Sequence, residues 1–467
     1  RIRDAILAGA LAPGARLPST RTLARDVGVS RNTVEQAFSQ LDAEGLLVRR
    51  VGSGSVVALP AHARPAQRLA RVQSAGPGDA PRLSHAAARL VAARPRPEPL
   101  EVRPLTPCLP ALREFPLHAW RRSVARAWRD GAERVLGYAP VEGVAALRRA
   151  VQQHLAAARG VRCDWRQVLV YTSTQQALDA AARVLLGPGD AAWLEEPGYA
   201  GARAAVEAAG ARTVPVPVDA EGLDVAAGEA RAPRARLAYV TPSHQYPLGV
   251  TLSPARRRAL LAWAARAGAW VLEDDYDSEF RYDSRPVACI QSIDEGGRVL
   301  HAGTFNKVMF PALRLAFLVV PPPLVDAFAA LRAATDGHVA HLTQVAMADF
   351  IAAGQLGAHV RRMRSLYAER RDALRDALRR EAAGLLEPGP AEAGMHLTAR
   401  LAPGVDDVAV AALAARRGLD PRALSPMYAA APGEPGLVLG FSGVEPAALR
   451  RAARELARAL SDAPARR

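Results

Sequence analysis

The segment Val299–Val320 restricts the possible fold more than any other part of the chain. It reads as an apolar strand, a polar turn that holds Lys307, and a second apolar run that begins at Arg314. Short apolar runs bounded by turn residues are typical of buried strands, so two strands would flank the lysine. Lys307 is also the only lysine among 61 lysine and arginine side chains. Because lysine can lose its proton in a desolvated site and arginine cannot, the pattern predicts an amine nucleophile at Lys307.

The neighbours of Lys307 suit a cofactor that carries an aldehyde and a phosphate. Thr304 precedes the lysine by three residues and Arg314 follows it by seven, which places a hydroxyl and a guanidinium near the amine. These neighbours disfavour the alternative of a leftover surface lysine. The segment resembles the lysine segment of fold-type I pyridoxal-phosphate (PLP) aminotransferases. The resemblance implies that Lys307 forms a Schiff base with PLP.

A second cluster lies upstream, where the apolar strand at the start of Trp270–Tyr282 ends abruptly in carboxylates. Carboxyl ends of strands in α/β sheets face the crevice where ligands bind. The aminotransferase resemblance implies that Asp274 pairs with the protonated pyridine nitrogen and that Tyr276 reaches the phenolic oxygen of the cofactor. The alternative, a solvated acidic turn, is disfavoured because Lys307 follows at a matching separation.

Further cofactor contacts are expected where strands lead into turns. The segment Thr172–Leu178 opens a helix, and a helix N-terminus offers free amides to a phosphate. The resemblance implies a phosphate cup of Ser173, Thr174 and Gln175, with Ser173 standing where glycine is common. It also implies that Tyr199 lies against the pyridine face and that Tyr138 reaches the phosphate of a neighbouring subunit in a homodimer.

Two positions depart from the aminotransferase pattern. Val438 stands where an arginine normally binds the substrate α-carboxylate, so the principal carboxylate clamp is missing. Tyr246 replaces the asparagine that binds the cofactor's phenolic oxygen, which leaves His244 or Gln245 as substitutes; His244 is equally well explained as a structural turn residue. Two arginines remain as alternatives for holding an acidic effector, Arg203 and Arg422.

The first part of the chain has a different pattern. Ser19 is placed to begin a helix that runs to Val27, and Ser30 to begin a second helix that Gly45 ends. A two-stranded wing is predicted over Leu46–Val57. The whole segment is similar to the GntR-type winged helix-turn-helix.

In that class the second helix enters the major groove with its first residues leading. The predicted base contacts are Ser30, Arg31 and Thr33, the predicted phosphate contacts are Arg21 and Arg25, and Gly54 is expected to bring the wing close to the minor groove. A net charge of +15 fits a polyanionic partner without identifying it.

We expect three parts: a winged helix-turn-helix domain over 1–59, a linker over 60–104 with a short helix around His85–Ala93, and an aminotransferase-like domain over 105–467. Alternating strands and amphipathic helices in the last part predict an α/β fold of three layers around a mostly parallel sheet. A small C-terminal lobe is predicted with helices around His341–Gly354 and Val360–Glu381 and strands near Met395 and Leu437.

The cysteines Cys108, Cys163 and Cys289 show no pairing or metal-ligand spacing, so each is interpreted as a small core residue, without a metal site, in a reducing cytoplasm. No signal peptide or membrane-spanning run is evident. Because the chain begins at Arg1 and the first helix of the winged domain is short, we expect further residues before it.

The order of parts resembles the MocR subgroup of GntR-type bacterial regulators. It implies a homodimeric transcriptional regulator that binds promoter DNA, senses PLP or an amino compound through an aldimine at Lys307, and has little or no transaminase turnover. One alternative is an active aminotransferase with an attached DNA-binding domain, which Val438 disfavours. Another is a DNA-binding scaffold with a dead cofactor fold, which Lys307, Asp274 and Arg314 disfavour.

Overall fold

The computed structural model describes residues 1–50, 54–58, 83–84, 87–88, 91, 101–282, 288–429 and 433–463. The chain forms two compact units, Arg1–Leu83 and Ser84–Arg467. Most of the predicted linker, most of its predicted helix and the tip of the predicted wing at 51–53 lie outside the described residues.

The described residues of the N-terminal unit form three helices and a hairpin: α1 (Ile2–Leu7), α2 (Thr20–Val27), α3 (Arg31–Ala43), β1 (Leu47–Arg50) and β2 (Gly54–Val57). The hydroxyl oxygens of Ser19 and Ser30 accept hydrogen bonds of 3.1 Å from backbone amides and so cap α2 and α3. Gly28, at φ 72°, ends α2 in the left-handed conformation that glycine adopts without strain. Both predicted helices are confirmed, and β1 and β2 pair antiparallel as the wing prediction requires.

The large unit is built on an eight-stranded sheet. Its strands are β3 (Val168–Tyr171), β4 (Ala191–Glu196), β5 (Arg212–Asp219), β6 (Gly222–Leu223), β7 (Leu237–Val240), β8 (Trp270–Asp275), β9 (Val299–Thr304) and β10 (Ala316–Val319). They lie in the order β3-β10-β9-β8-β7-β4-β5-β6. The neighbouring pairs β9–β8, β8–β7, β7–β4 and β4–β5 are parallel. Strand β10 is antiparallel to both of its neighbours, and β6 is antiparallel to β5. The predicted mostly parallel sheet is confirmed.

Helices accompany these strands: α4 (Leu117–Arg129), α5 (Ala132–Leu136), α6 (Ala145–Arg159), α7 (Thr174–Leu185), α8 (Ala200–Ala208), α9 (Val225–Arg231), α10 (Pro254–Ala267) and α11 (Val325–Thr335). Strands β3, β7 and β9 are buried along their whole length. Their mostly apolar sequences fit a sheet that is covered by helices on both faces.

The C-terminal lobe contains α12 (His341–Ala352), α13 (Gln355–Glu381), β11 (Leu386–Pro388), β12 (His396–Leu401), α14 (Asp407–Arg416), β13 (Arg422–Ala423), β14 (Gly436–Gly440) and α15 (Pro446–Ser461). Its strands form an antiparallel sheet in the order β11-β12-β14-β13. The predicted helices and strands are present, but α13 begins at Gln355 rather than Val360. The sequence did not predict the earlier start because Gly357 lies in the first turn and glycine is a poor helix former. Across the described ranges, no helix combines the length and apolar character needed to cross a membrane.

Candidate functional site

Lys307 lies in the turn between the antiparallel strands β9 and β10, where Thr304 is the register partner of Ala316. The lysine is half-buried, and its flanking residues Asn306 and Val308 are buried. Within the described ranges Lys307 forms no ion pair with a carboxylate. The turn therefore places an amine without an ionic partner at the end of the central sheet.

The hydroxyl of Thr304 holds this turn together. It donates to the carbonyl oxygen of Leu315 at 3.4 Å and accepts from the amide of Asn306 at 3.1 Å. The observed partners of the Thr304 hydroxyl are thus backbone groups, and its role at the cofactor phosphate stays a prediction. Arg314, also predicted at the phosphate, is exposed and adopts a left-handed φ of 52°, which is uncommon for a residue other than glycine.

Asp274 is the penultimate residue of strand β8, which pairs with β9. Its Oδ2 accepts a hydrogen bond of 2.9 Å from the hydroxyl of Tyr239, which lies on the neighbouring strand β7. Its Oδ1 is buried and has no hydrogen-bond partner among the described residues. Burial raises the pKa of Asp274 to about 7, and the Tyr239 hydrogen bond only partly opposes that effect. This carboxyl group can therefore receive a proton-bearing cationic partner at Oδ1.

Glu195, near the carboxyl end of β4, is a site residue that the sequence analysis missed. Its carboxylate accepts hydrogen bonds from the Thr241 hydroxyl at 2.6 Å and from the side-chain amide of Gln245 at 3.3 Å. Burial raises its pKa to about 7, and the nearby Asp274 contributes in the same direction. The signal was the same as for Asp274, because both carboxylates follow apolar strand residues.

A cluster of five polar side chains, which we call the histidine cluster, surrounds His244: Cys108, His244, Tyr276, Asp277 and His396. The Tyr276 hydroxyl donates to the His244 carbonyl oxygen at 3.0 Å, and Nδ1 of His244 lies 3.1 Å from an Asp277 carboxylate oxygen. The two imidazole rings are 4.7 Å apart, and Nδ1 of His396 lies 3.4 Å from the Cys108 sulfur. The predicted residues Tyr276 and His244 are thus brought together, whereas three cluster members were not predicted as site residues.

The histidine cluster is close to the lysine. Burial first, then the charges of His244 and Lys307, lower the pKa of His396 well below its usual value. His396 is therefore a neutral imidazole. The cluster also packs against glycine, since a Cβ atom on Gly394 would lie 2.1 Å from Nδ1 of His244.

The predicted phosphate cup lies at the N-terminus of α7. The Ser173 hydroxyl accepts a hydrogen bond of 3.1 Å from the Gln176 amide, so it caps the helix. The side-chain amide of Gln175 donates to the Gly201 carbonyl oxygen at 2.9 Å, while its own oxygen is buried without a partner in the described chain. Thr174, the first helical residue, is half-buried. The cup residues share one helix end as predicted.

Tyr199 is adjacent to this helix end. A Cβ atom on Gly201 would lie 2.1 Å from the Gln175 side-chain oxygen and 2.5 Å from the Tyr199 ring, so only glycine fits there. The Tyr199 ring is 6.1 Å from that of Tyr246, which in turn is 5.5 Å from His396. Tyr138 instead lies with its ring 5.9 Å from that of His338, and it is 95% exposed.

The predicted DNA contacts lie on the surface of the N-terminal unit. Arg21, Arg25, Ser30, Arg31, Thr33 and Gly54 are all exposed. The Ser30 and Thr33 hydroxyls are 2.8 Å apart at the start of α3, so they cap the helix that carries Arg31.

Among the described residues, two sets of three buried side chains could each offer ligand atoms to a metal ion: His244, Asp277 and His396, and Glu273, Cys289 and His301. Within each set, these atoms lie within 4.8 Å of one another. Both groups already have protein partners. Nε2 of His396 lies 3.2 Å from the Pro247 carbonyl oxygen, and Glu273 accepts 2.8 and 3.1 Å hydrogen bonds from two backbone amides. We interpret both groups as hydrogen-bond networks.

Four features fit a PLP molecule between the lysine turn and α7. The Lys307 amine has no carboxylate partner within the described ranges, and Asp274 offers a buried oxygen without a partner. The α7 N-terminus supplies amides for an anion. Gly201 has no Cβ atom, which lets the Gln175 side-chain oxygen and the Tyr199 ring pack beside this helix end.

Comparison with known proteins gives a separate family match for the N-terminal and the large unit. Residues 109–456 match the family "Aminotransferase class I and II", and residues 1–57 match "Bacterial regulatory proteins, gntR family". The chain is 41% identical to the probable rhizopine catabolism regulatory protein MocR of Rhizobium meliloti, over 96% of this chain and 90% of that protein. It is 31% identical to the pyridoxine biosynthesis transcriptional regulator PdxR of Corynebacterium glutamicum, over 99% of this chain and 94% of that protein.

Solved structures resemble the large unit. The α-aminoadipate aminotransferase LysN of Thermus thermophilus, complexed with N-(5'-phosphopyridoxyl)-L-leucine, superposes with a TM-score of 0.71 at 29% identity. The match covers 81% of this chain and 95% of that one.

Proposed function

The chain belongs to the MocR subgroup of GntR-type transcription regulators, which join a winged helix-turn-helix domain to an aminotransferase class I and II domain, and from that membership we propose that amine capture at Lys307 controls its DNA binding. It is a helix-turn-helix transcriptional regulator that binds DNA, and PLP is its cofactor. The observation that carries the proposal is the pairing of two groups near the sheet end. These are the Lys307 amine and Oδ1 of Asp274, which is buried and has no hydrogen-bond partner in the described part of the chain.

When bound, PLP supplies an aldehyde that reacts with primary amines and a ring that withdraws electrons. We assign Lys307 Nζ to the aldehyde and Asp274 Oδ1 to the ring nitrogen. A cationic neighbour favours an ionised carboxylate, so pairing would lower the Asp274 pKa from about 7. The Tyr239 hydroxyl fixes Oδ2 and thereby aims Oδ1.

The phosphate is assigned to the α7 N-terminus. Ser173 uses its hydroxyl as the helix cap, which leaves the first-turn amides and the Thr174 hydroxyl for the anion. The exposed Arg314 supplies positive charge from the lysine turn. Tyr199 is assigned to the ring face, because its aromatic ring lies beside Gly201, next to the cup residue Gln175.

The signal is proposed to be an amino compound or PLP itself. The relatives' names connect them with rhizopine catabolism and with pyridoxine biosynthesis, and neither name fixes the signal of this chain. In either case the occupant reaches Lys307 next to the histidine cluster. The DNA partner is proposed to be promoter DNA, read by Arg31 at the exposed start of α3.

We also propose a homodimer formed through the large unit. Leu136 is 75% exposed and Tyr138 95% exposed, two residues apart, which is an unusual surface for large apolar side chains. Leu136→Asp should shift the protein from dimer to monomer in sedimentation experiments, whereas Leu112→Asp, at another exposed leucine, should not. An unchanged dimer in Leu136→Asp would contradict this surface.

The decisive experiment is borohydride reduction of the purified full chain followed by peptide mass spectrometry. We expect a pyridoxyl group on Lys307, and Lys307→Arg should lose it while keeping the positive charge. A pyridoxyl group on the N-terminus alone, or none, would refute the cofactor site. DNase footprinting of the gene's own upstream region, with and without PLP and amines, tests the proposed binding to promoter DNA separately.

A further inference from the structure

The side of the C-terminal sheet nearest to Lys307 carries a row of residues across three strands. Thr398 on β12 is the register partner of Val438 on β14, and Val438 is the partner of Arg422 on β13. Directly opposed residues in antiparallel strands point to the same face. Leu437 and Leu439 belong to the hydrophobic core, so Val438 between them points to the other face.

That other face is directed toward the lysine site. Thr398 and His396, two residues apart on β12, both contact the Pro247 carbonyl oxygen. His396 is a member of the histidine cluster, and the charge of Lys307 helps to lower its pKa. The row Thr398–Val438–Arg422 is therefore placed to meet a molecule bound at the lysine amine.

The charges around this row do not suit an anion. His396 is neutral because burial lowers its pKa, and Val438 is buried and apolar. The Arg422 guanidinium lies 3.7 Å from the buried carboxylate of Asp420. The other candidate, Arg203, lies 3.8 Å from Glu196. Both arginines that could hold an acidic effector already stand beside a carboxylate.

Carboxylates also crowd the opposite side of the site. Asp274, Asp277 and Glu195 are all buried. Burying one more carboxylate among them without a cation of its own would be unfavourable, because an unpaired buried charge is costly. The other polar groups of the histidine cluster are hydroxyl, thiol and imidazole groups, and Nε2 of His244 is buried with no hydrogen-bond partner among the residues described. Such groups exchange hydrogen bonds with hydroxyls.

Resting on the proposed function, we propose that the effector is a primary amine that bears hydroxyl groups and no carboxylate or other anionic group. The amine reaches Lys307, and the hydroxyl groups hydrogen-bond to the histidine cluster and Thr398. Ordinary α-amino acids are then not the main signal. Val438 contributes to this selectivity because its apolar side chain offers no positive charge to a carboxylate.

The test compares two ligands that differ only at the decisive group. Serinol carries a hydroxymethyl group where L-serine carries its carboxylate. Full-length protein loaded with PLP and freed of excess cofactor by gel filtration is titrated with each, and the visible absorption band and binding to its upstream DNA are followed. We expect half-saturation by serinol at a concentration at least about tenfold lower than by serine.

Equal or tighter binding of serine would overturn the proposal, as would a cofactor band that neither ligand changes. A protein that shows no cofactor band at all would instead refute the proposed function. Arg422→Gln tests one of the two candidate arginines: the preference for serinol should persist. If the variant loses serine binding while its unfolding temperature is unchanged, Arg422 recognises an anion and the proposal fails.

Discussion

The side-chain amide of Asn306 donates a hydrogen bond of 3.1 Å to the carbonyl oxygen of Thr172. Asn306 also accepts a 2.8 Å hydrogen bond from the Leu315 amide through its side-chain oxygen. One buried side chain thus joins the lysine turn to the loop that leads into α7. The proposed amine and phosphate sites are therefore held in a fixed relation by the residue before Lys307.

Asn306→Ala should loosen that relation. It leaves the buried Leu315 amide without its acceptor, which costs about 1–3 kcal/mol of unfolding free energy. We expect a lower unfolding temperature and faster loss of PLP during dialysis. Gln153→Ala, at an exposed helix position in the same unit, serves as the control and should change neither. Unaltered PLP retention in Asn306→Ala would show that the lysine turn does not depend on this bond.

Asp274 should make the cofactor-free protein less stable as the pH rises. Its folded-state pKa of about 7 lies above the unfolded value of 3.8, so its contribution is present at low pH and is lost as pH rises through 7. From pH 6 to 8 this amounts to about 1 kcal/mol, since one pKa unit corresponds to about 1.4 kcal/mol. Asp274→Asn should reduce the pH dependence of the unfolding free energy measured with urea. The variant should keep the part of the pH dependence that comes from Glu195, whose pKa is also raised to about 7.

Bound PLP should reverse that loss, because its ring nitrogen would pair with the ionised carboxylate. The stabilisation by PLP is therefore expected to grow between pH 6 and 8 in the native protein and not in Asp274→Asn. Equal pH profiles for the two proteins would place the ring nitrogen elsewhere.

Local sequence signals predicted the elements well, since caps such as Ser19 and Ser30 act within four residues. They also placed Asp274 at the carboxyl end of a strand and Lys307 in a turn between two strands, as the structure has them, whereas the roles of both residues remain predictions. The histidine cluster could not be predicted, because Cys108 and His396 are 288 residues apart and meet only through the folding of the C-terminal lobe. Cys108 is buried, as a small core residue would be, but its contact with a neutral imidazole had no sequence signal. Cys163 is only half-buried.

Two arginines of the N-terminal unit should differ in their effect on DNA binding. Arg31→Ala is expected to weaken binding to the specific site by about 1–3 kcal/mol and to relax its sequence preference, because we propose that Arg31, the first residue of α3, contacts a base. Arg25→Ala should weaken all duplexes alike and reduce the salt dependence by one phosphate contact. Fluorescence anisotropy with specific and scrambled duplexes at several salt concentrations distinguishes them. Identical effects on both duplexes for Arg31→Ala would remove it from base recognition.

The protein should capture amines yet turn over poorly as a transaminase. Capture needs an amine as a leaving group and a carboxylate at the ring, and the proposed site assigns these roles to Lys307 and Asp274. Transamination also needs the substrate Cα–H bond held perpendicular to the ring beside the freed lysine, a positional demand that can be worth about 7–11 kcal/mol. The buried Val438 has no charge with which to anchor a carboxylate and enforce that orientation. The captured amine then persists long enough to act as a signal.

Stopped-flow absorbance with a panel of amino acids and hydroxylated amines should therefore show fast spectral changes. Assays for keto acid, aldehyde and ketone products should show turnover far below ordinary enzyme rates of about 1–1000 per second. Lys307→Arg is the matched control, because it keeps the charge at the turn but offers no amine to exchange. Sustained turnover within that range, lost in Lys307→Arg, would favour the alternative of an aminotransferase with an attached DNA-binding domain, because a site that releases product quickly cannot hold the amine as a signal.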